Sequence, residues 1–243
     1  MTGLTLLCAA GFAAIHLFIG RLRFLDVVPR SRWLSAAGGV AVAYVFLHVL
    51  PELAAHQDSL AQNLARSPVF VEELVYLLSL IGLAVFYGLE RIATVSRLRS
   101  RKRGGEDAVG GVVFWAHIGA FAVYNLLIGY LLLHREESGL RTLLFYFVAI
   151  GLHFVTSDFG LRAHHKRRYD ALGRWIIAAA VLAGWGLGGL AEVSDIAVAF
   201  LFALLAGGVV LNVLKEELPE DRESRFWPFL IGATASSVLL LAM

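Results

Sequence analysis

Residues 142–161 read TLLFYFVAIGLHFVTSDFGL, a run in which Asp158 is the one formally charged side chain. That length and apolarity match the roughly 20 residues a helix needs to cross the hydrocarbon core of a bilayer. Its second half is nevertheless polar, with His153, Thr156, Ser157 and Asp158 inside two turns. An ionisable group at such depth is costly in hydrocarbon, and it marks a functional site or a buried pair. Helical geometry divides the cluster. His153, Thr156 and Ser157 share a face, while Asp158 is turned about 140° from His153 on an ideal helix. Asp158 stands four residues before Arg162, the spacing of a structural ion pair near the helix end.

Working outward, the rest of the chain has the same character. Of its 243 residues 58% are hydrophobic and 16% charged, and the mean hydropathy is +0.72. A soluble domain is nearer half apolar and a quarter charged. The apolar residues come in long blocks, which points to lipid as the solvent. A single cysteine, Cys8, and the lack of Cys/His spacing exclude a disulfide framework and a zinc finger. The net charge of +2 arises from basic residues in loops between apolar runs, so it gives no reason to expect nucleic acid as a partner.

Eight spans are expected in one membrane domain covering the whole chain, about 3–20, 33–55, 70–92, 109–133, 141–163, 173–191, 195–214 and 226–243. The fold class is all-α and polytopic. The sixth and seventh spans are separated only by AEVSD, which predicts a tight helical hairpin. The first span is expected to be a membrane helix and not a signal peptide, because its basic residues follow the apolar run. Loop Lys/Arg bias sets the orientation. Loops one, three and five hold Arg21, Arg23, Arg30 and Arg32, then Arg91 to Arg103, then Arg162 to Arg174. The second loop holds only Arg66, the fourth Arg135 and Arg141, and the sixth none. Odd loops are therefore cytoplasmic, both termini lie outside, and the expected location is the cell (inner) membrane. Loop seven, KEELPEDRESR, is richer in acid, but acidic residues weigh little in this rule. A cytoplasmic linker is expected at about 94–108, its basic run read as a topology signal at anionic lipid headgroups.

Several polar side chains fall inside the spans. His48 and Glu52 are four apart on one face of the second, with Pro51 between them freeing a carbonyl one turn earlier. In the fourth, His117 and Tyr124 nearly superimpose around the axis, with Asn125 a quarter-turn from His117. Each has a plain alternative: membrane histidines and asparagines often only hydrogen-bond across helices, and Glu52 near the interface serves equally as an entrance ligand or a hydrated rim group. His16, His134, His164 and His165 fall at span ends, where solvation explains them. Three spans nevertheless each carry an inward-capable histidine, and imidazole is the commonest transition-metal ligand. Gly184 with Gly188, and Ala203 with Gly207, read as small-residue packing seams.

With these residues in place the chain resembles the ZIP family of zinc/iron transporters, in a divergent form. Eight spans with both ends outside and the longest loop after the third match the family layout. HVLPEL at 48–53 is similar to the family's His-x-x-Pro-Glu stretch. ALLAGGVVLNVLKEELPE at 203–220 resembles its seventh helix and Leu-Pro-Glu exit. The departures are specific. The family's His-Asn-x-Pro-x-Gly with an acid before the Gly is here YNLLIG, keeping Asn125 and Gly129. Its His-Glu-x-Pro-His-Glu is here HFVTSD, keeping His153, with Asp158 answering to the final acid. The resemblance implies a reduced metal site of Asn125, His153 and one or both of Ser157 and Asp158, supplemented by His117, with His48 and Glu52 towards the entrance. Fewer carboxylates imply a lower affinity for a divalent cation.

The expected function is ZIP-like transport of a divalent metal cation, zinc or similar, with the ion as cargo and no permanently bound cofactor. The alternative is a ZIP-fold protein that has lost metal transport and serves as a sensor, a partner subunit or a carrier of another solute. The expected partners are the lipid bilayer and the divalent ion, and the bundle is compatible with a homodimer. An enzyme is not expected. A membrane hydrolase resembling the alkaline ceramidases needs a late His-x-x-x-His pair, and the last three spans contain no histidine.

Overall fold

The computed structural model describes residues 2–22, 32–63, 73–102, 110–135, 139–165, 167–217 and 225–242. Arg23, Arg30, Arg66, Arg103, Lys166 and the segment 218–224, used above for orientation, lie outside them, as does 103–108 of the expected linker. The described residues are almost all helical, with no strand among them. The helices are α1 Thr2–Phe18, α2 Arg32–Tyr44, α3 Leu50–Asn63, α4 Leu74–Lys102, α5 Gly111–Leu131, α6 Leu140–His165, α7 Arg174–Leu190, α8 Asp195–Glu217 and α9 Phe226–Leu241. A π turn, Val45–Val49, joins α2 to α3 without breaking the rod. It precedes Pro51, whose missing N–H and ring force the helix to widen one turn earlier.

Seven continuous helical stretches among the described residues have the length and composition to cross a membrane. The eighth apolar helix, α9, is shorter at 16 residues. Large apolar side chains line the outer faces, Leu77, Leu80, Ile81 and Val85 on α4 and Trp227, Ile231 and Val238 on α9 among them. Exposed apolar surface on that scale is a lipid-facing surface. The chain is a multi-pass membrane protein in contact with the bilayer.

The third helix outruns its expected span. It continues as α4 to Lys102, so residues 94–102 of the expected linker are helical. That extension also carries Glu90 well inside the helix instead of at its end.

Three glycine seams decide which helices pair. An added Cβ on Gly184 of α7 would overlap the Leu126 carbonyl of α5, and one on Gly129 of α5 would overlap the Val181 carbonyl of α7. Gly207 of α8 and Gly82 of α4 abut Ser79 and Leu204 in the same reciprocal way, as do Gly39 of α2 and Gly232 of α9 with Phe229 and Ala36. Backbones approach this closely only where side chains are absent, and the gain is van der Waals packing. The small residues read as seams in the sixth and seventh spans therefore do pack helices. The expected hairpin is different: α7 and α8 are joined through 191–194, yet α7 packs on α5 and α1 while α8 packs on α4 and α3. Each follows its glycine partner instead of its neighbour in sequence.

The result is two groups of helices. One holds α1, α5 and α7, and the other holds α2, α3, α4, α8 and α9, with α6 bridging them, as close to α2 as to α1. They meet where α4 lies against α5, and α6 also lies against α8.

Candidate functional site between the helix groups

Along α6, positions 142, 146, 150, 153, 157, 161 and 164 recur every three or four residues and so form one face. The face of α5 opposite it runs the other way through Leu131, Ile128, Tyr124, Phe121 and His117. Three polar stations lie along this seam.

The first is a chamber of about 310 Å³ at the end where α5 finishes and α8 begins. The end of α5 supplies Ile128 and Arg135 follows it, α6 supplies Thr142, Tyr146 and Ile150, and the other wall holds His48, Glu52, His56 and the α8 residues Val198, Phe202, Leu205 and Val209. A second space of about 300 Å³ adjoins it, sharing His56, His134 and Val198 and adding Ser59 and Asp195. His48 sits within the π turn, and its Nε2 is 3.5 Å from Glu52 Oε2. The sequence pair at i, i+4 is thus a real contact on the chamber wall. His134 is half-buried, its ring stacked on Tyr130 at 4.3 Å.

The second station lies under the chamber floor. His153 is one turn below Ile150, about 4.5 Å along the axis. Its Nε2 is 2.8 Å from the Tyr124 hydroxyl and 3.3 Å from Ser157 Oγ. Asn125 is buried beside Tyr124 on α5, but its Nδ2 donates to the Phe121 carbonyl of its own helix at 2.9 Å. His153 Nδ1 and Asn125 Oδ1 are both buried without a hydrogen-bond partner. Such orphaned polar atoms are costly in a dry interior, and they are the atoms a water or an ion would satisfy.

Asp158 leaves this station. Its Oδ2 is 2.8 Å from His16 Nδ1, both side chains being almost wholly buried. The expected Asp158–Arg162 pair is replaced, because Arg162 Nε donates to Asp170 Oδ1 at 2.9 Å. The reason is position: α1 packs against α6, so His16 reaches Asp158 within the bundle, while Arg162 turns towards the π turn Tyr169–Gly173 that carries Asp170.

The third station closes the other end of the seam. Glu90 of α4 is 2.6 Å from Lys215 Nζ of α8, both in one group. From α5 and α6, His117 Nε2 stands 3.1 Å and His164 Nε2 3.6 Å from the same carboxylate. His165 Nε2 and His117 Nδ1 are 2.9 Å apart. Burial pushes His164 down to about 4, against the opposing pull of Glu90, and burial with the nearby His117 pushes His165 down to about 3. Both rings are therefore neutral at neutral pH.

His16, His164 and His165 are accordingly buried, not solvated as their places at span ends suggested. The seven residues singled out as metal ligands are distributed over the seam: His48 and Glu52 on the chamber wall, Asn125, His153 and Ser157 beneath it, His117 at the far closure, Asp158 paired with His16. Among the described residues no group of three or more His, Cys, Asp or Glu side chains has the arrangement to hold a metal ion. Glu90 and His16 were missed by sequence reasoning. Glu90 is the one acidic residue of α4, and next to Arg91 it reads as a helix-end charge.

The fold and seam define a polytopic α-helical membrane protein with an internal chamber. No protein-family model matches this chain, and no curated protein sequence does.

Proposed function

We propose that this chain is a carrier that moves a divalent metal cation across the cell membrane in the manner of the ZIP transporters, with both termini outside and the chamber opening outward. The observation that carries this reading is the chamber between two groups of helices bridged by α6, with His48 and Glu52 in its wall and His153 under its floor. An entering ion would exchange hydration for the carboxylate and imidazole of the wall, groups suited to zinc and similar ions. The orphaned atoms of His153 and Asn125 would take it next. Rocking of one group against the other would break the Glu90 contacts to His117 and His164 and open the far end, which is alternating access.

The test is zinc uptake by proteoliposomes containing the purified chain. His153→Ala abolishes metal-dependent uptake while the protein still elutes as a folded species. Uptake at the wild-type rate in that variant removes His153 from the path.

One observation favours a second reading, a carrier of another solute: Arg135 contributes a positive charge to the chamber wall, and no three ligands converge among the described residues. Calorimetric titration of zinc, manganese, iron and cadmium separates the two, since the second predicts no micromolar binding of any of them.

A further inference from the structure

The station at the far end of the seam gathers the donor atoms of a metal site around an ammonium group. Glu90, His117 and His164 come from three helices, α4, α5 and α6, and all three are buried. His117 Nε2 stands 3.1 Å from Glu90 Oε1, and His164 Nε2 3.6 Å from Glu90 Oε2. Two imidazoles and a carboxylate are a donor set for zinc, and bonds of about 2.0–2.1 Å put neighbouring ligands of a tetrahedral ion roughly 3.3–3.4 Å apart. His165 Nε2 lies 2.9 Å from His117 Nδ1. The tautomer that donates Nδ1–H to it turns the His117 Nε2 lone pair towards the carboxylate. A metal-binding histidine ordinarily has such a partner on its other nitrogen. His117 Nε2 is buried and makes no aligned hydrogen bond.

One member of the cluster is not a ligand. Lys215 Nζ lies 2.6 Å from Glu90 Oε2, the oxygen that His164 also faces. A protonated lysine has donors and no lone pair, so it competes with a metal ion for the carboxylate. Its compact charge rides on a flexible stem, and its side chain is partly exposed where that of Glu90 is not. It can therefore withdraw while the helices stay in place. With the ammonium seated, the rings of His117 and His164 are 6.4 Å apart between centroids, and the three ligands do not converge. We infer that Lys215 is a tethered cation seated in a divalent-metal site formed by Glu90, His117 and His164, and that ion and ammonium occupy this site in turn. An ion leaving along the seam displaces Lys215 from Glu90 and is displaced when the ammonium returns, so the buried carboxylate is never left bare. The part in release rests on the carrier reading above, whereas the site is tested by binding alone.

The experiment counts zinc ions bound per chain by calorimetric titration of the full protein in nanodiscs. Lys215→Met binds one zinc more than wild type, and Lys215→Gln does the same. Lys215→Arg, which keeps a cation there, binds no more than wild type. The extra ion disappears when Glu90→Gln or His117→Ala is added to Lys215→Met, and it persists when His153→Ala is added. Melting temperatures without zinc establish that each variant is folded. In proteoliposomes Lys215→Met takes up zinc at least five-fold more slowly, because no ammonium returns to drive the ion off Glu90. Equal zinc counts for wild type and both neutral variants, an extra ion that survives Glu90→Gln, or undiminished uptake by Lys215→Met overturns the inference. Uptake lost in His153→Ala, with equal counts for wild type and Lys215→Met, removes the tethered cation and leaves the carrier standing. No zinc uptake by wild type, with the extra ion still present in Lys215→Met, removes the carrier and leaves the metal site under Lys215.

Discussion

Replacing Gly184 by alanine tests whether the glycine seams hold the bundle together. The new methyl group would lie 2.8 Å from the carbonyl carbon and 2.9 Å from the Cα of Leu126, and closer still to its carbonyl oxygen. Carbon atoms in optimal contact are about 3.5–4.0 Å apart, so α5 and α7 must separate by roughly 1 Å. The obstacle is backbone and cannot rotate away. Overpacking of this kind costs about 1–3 kcal/mol, offset by no more than the ~1 kcal/mol that alanine gains over glycine within a helix. Gly186, half a turn further on the same helix, has nothing within 4 Å of an added Cβ. Gly186→Ala therefore keeps the propensity gain without the clash. Thermal unfolding of both variants in one detergent should move in opposite directions, Gly184→Ala melting lower than wild type and Gly186→Ala at or above it. Equal melting temperatures for the two would refute the seam as a determinant of packing.

Other outcomes follow from the buried pairs. Asp158→Ala leaves His16 buried without its partner and costs about 1–3 kcal/mol. Arg162→Ala, which loses a partly exposed pair with Asp170, costs about 0–1 kcal/mol; chemical denaturation of the two variants should rank them in that order. Because burial holds His164 at about 4, below its ordinary 6.5, the unfolded chain binds the proton more readily between those values. Its contribution to stability is complete above pH 6.5 and is lost as pH falls towards 4, so melting curves taken across that window should be flatter for His164→Gln than for wild type. Glu90→Gln removes the charge that joins Lys215 to the histidines of α5 and α6. Cysteine introduced at Phe121, in a Cys8→Ser background, should then react faster with a thiol reagent applied from the Lys215 end, and unchanged reactivity would count against that cluster as a closure.

The helical spans and the small-residue seams were legible because each depends on local sequence: a run of apolar residues, or glycines one turn apart. The rotation that sends Asp158 away from His153 was legible for the same reason. Its partner was not. His16 lies 142 residues away in sequence, and nothing near Asp158 signals it except the nearer and misleading Arg162. The histidines at 164 and 165 sit at the end of an apolar run, which suggests water. The continuation of α4 past the expected boundary, with Glu90 held by Lys215 of α8, instead places protein against His164. The hairpin between α7 and α8 was misjudged because a short linker governs proximity of helix ends, while the glycines govern which faces pack.

The three seams pair α5 with α7, α4 with α8 and α2 with α9, so each late helix closes on an earlier one and the brackets nest. A chain leaving the ribosome therefore inserts α2, α4 and α5 long before their counterparts exist, and their bare glycine grooves face lipid or one another in the interval. The groove on Gly39 waits longest of the three, since α9, which fills it, follows about 180 residues later in the chain. Until α9 docks, α2, which leads into the chamber's π turn, stands without its brace.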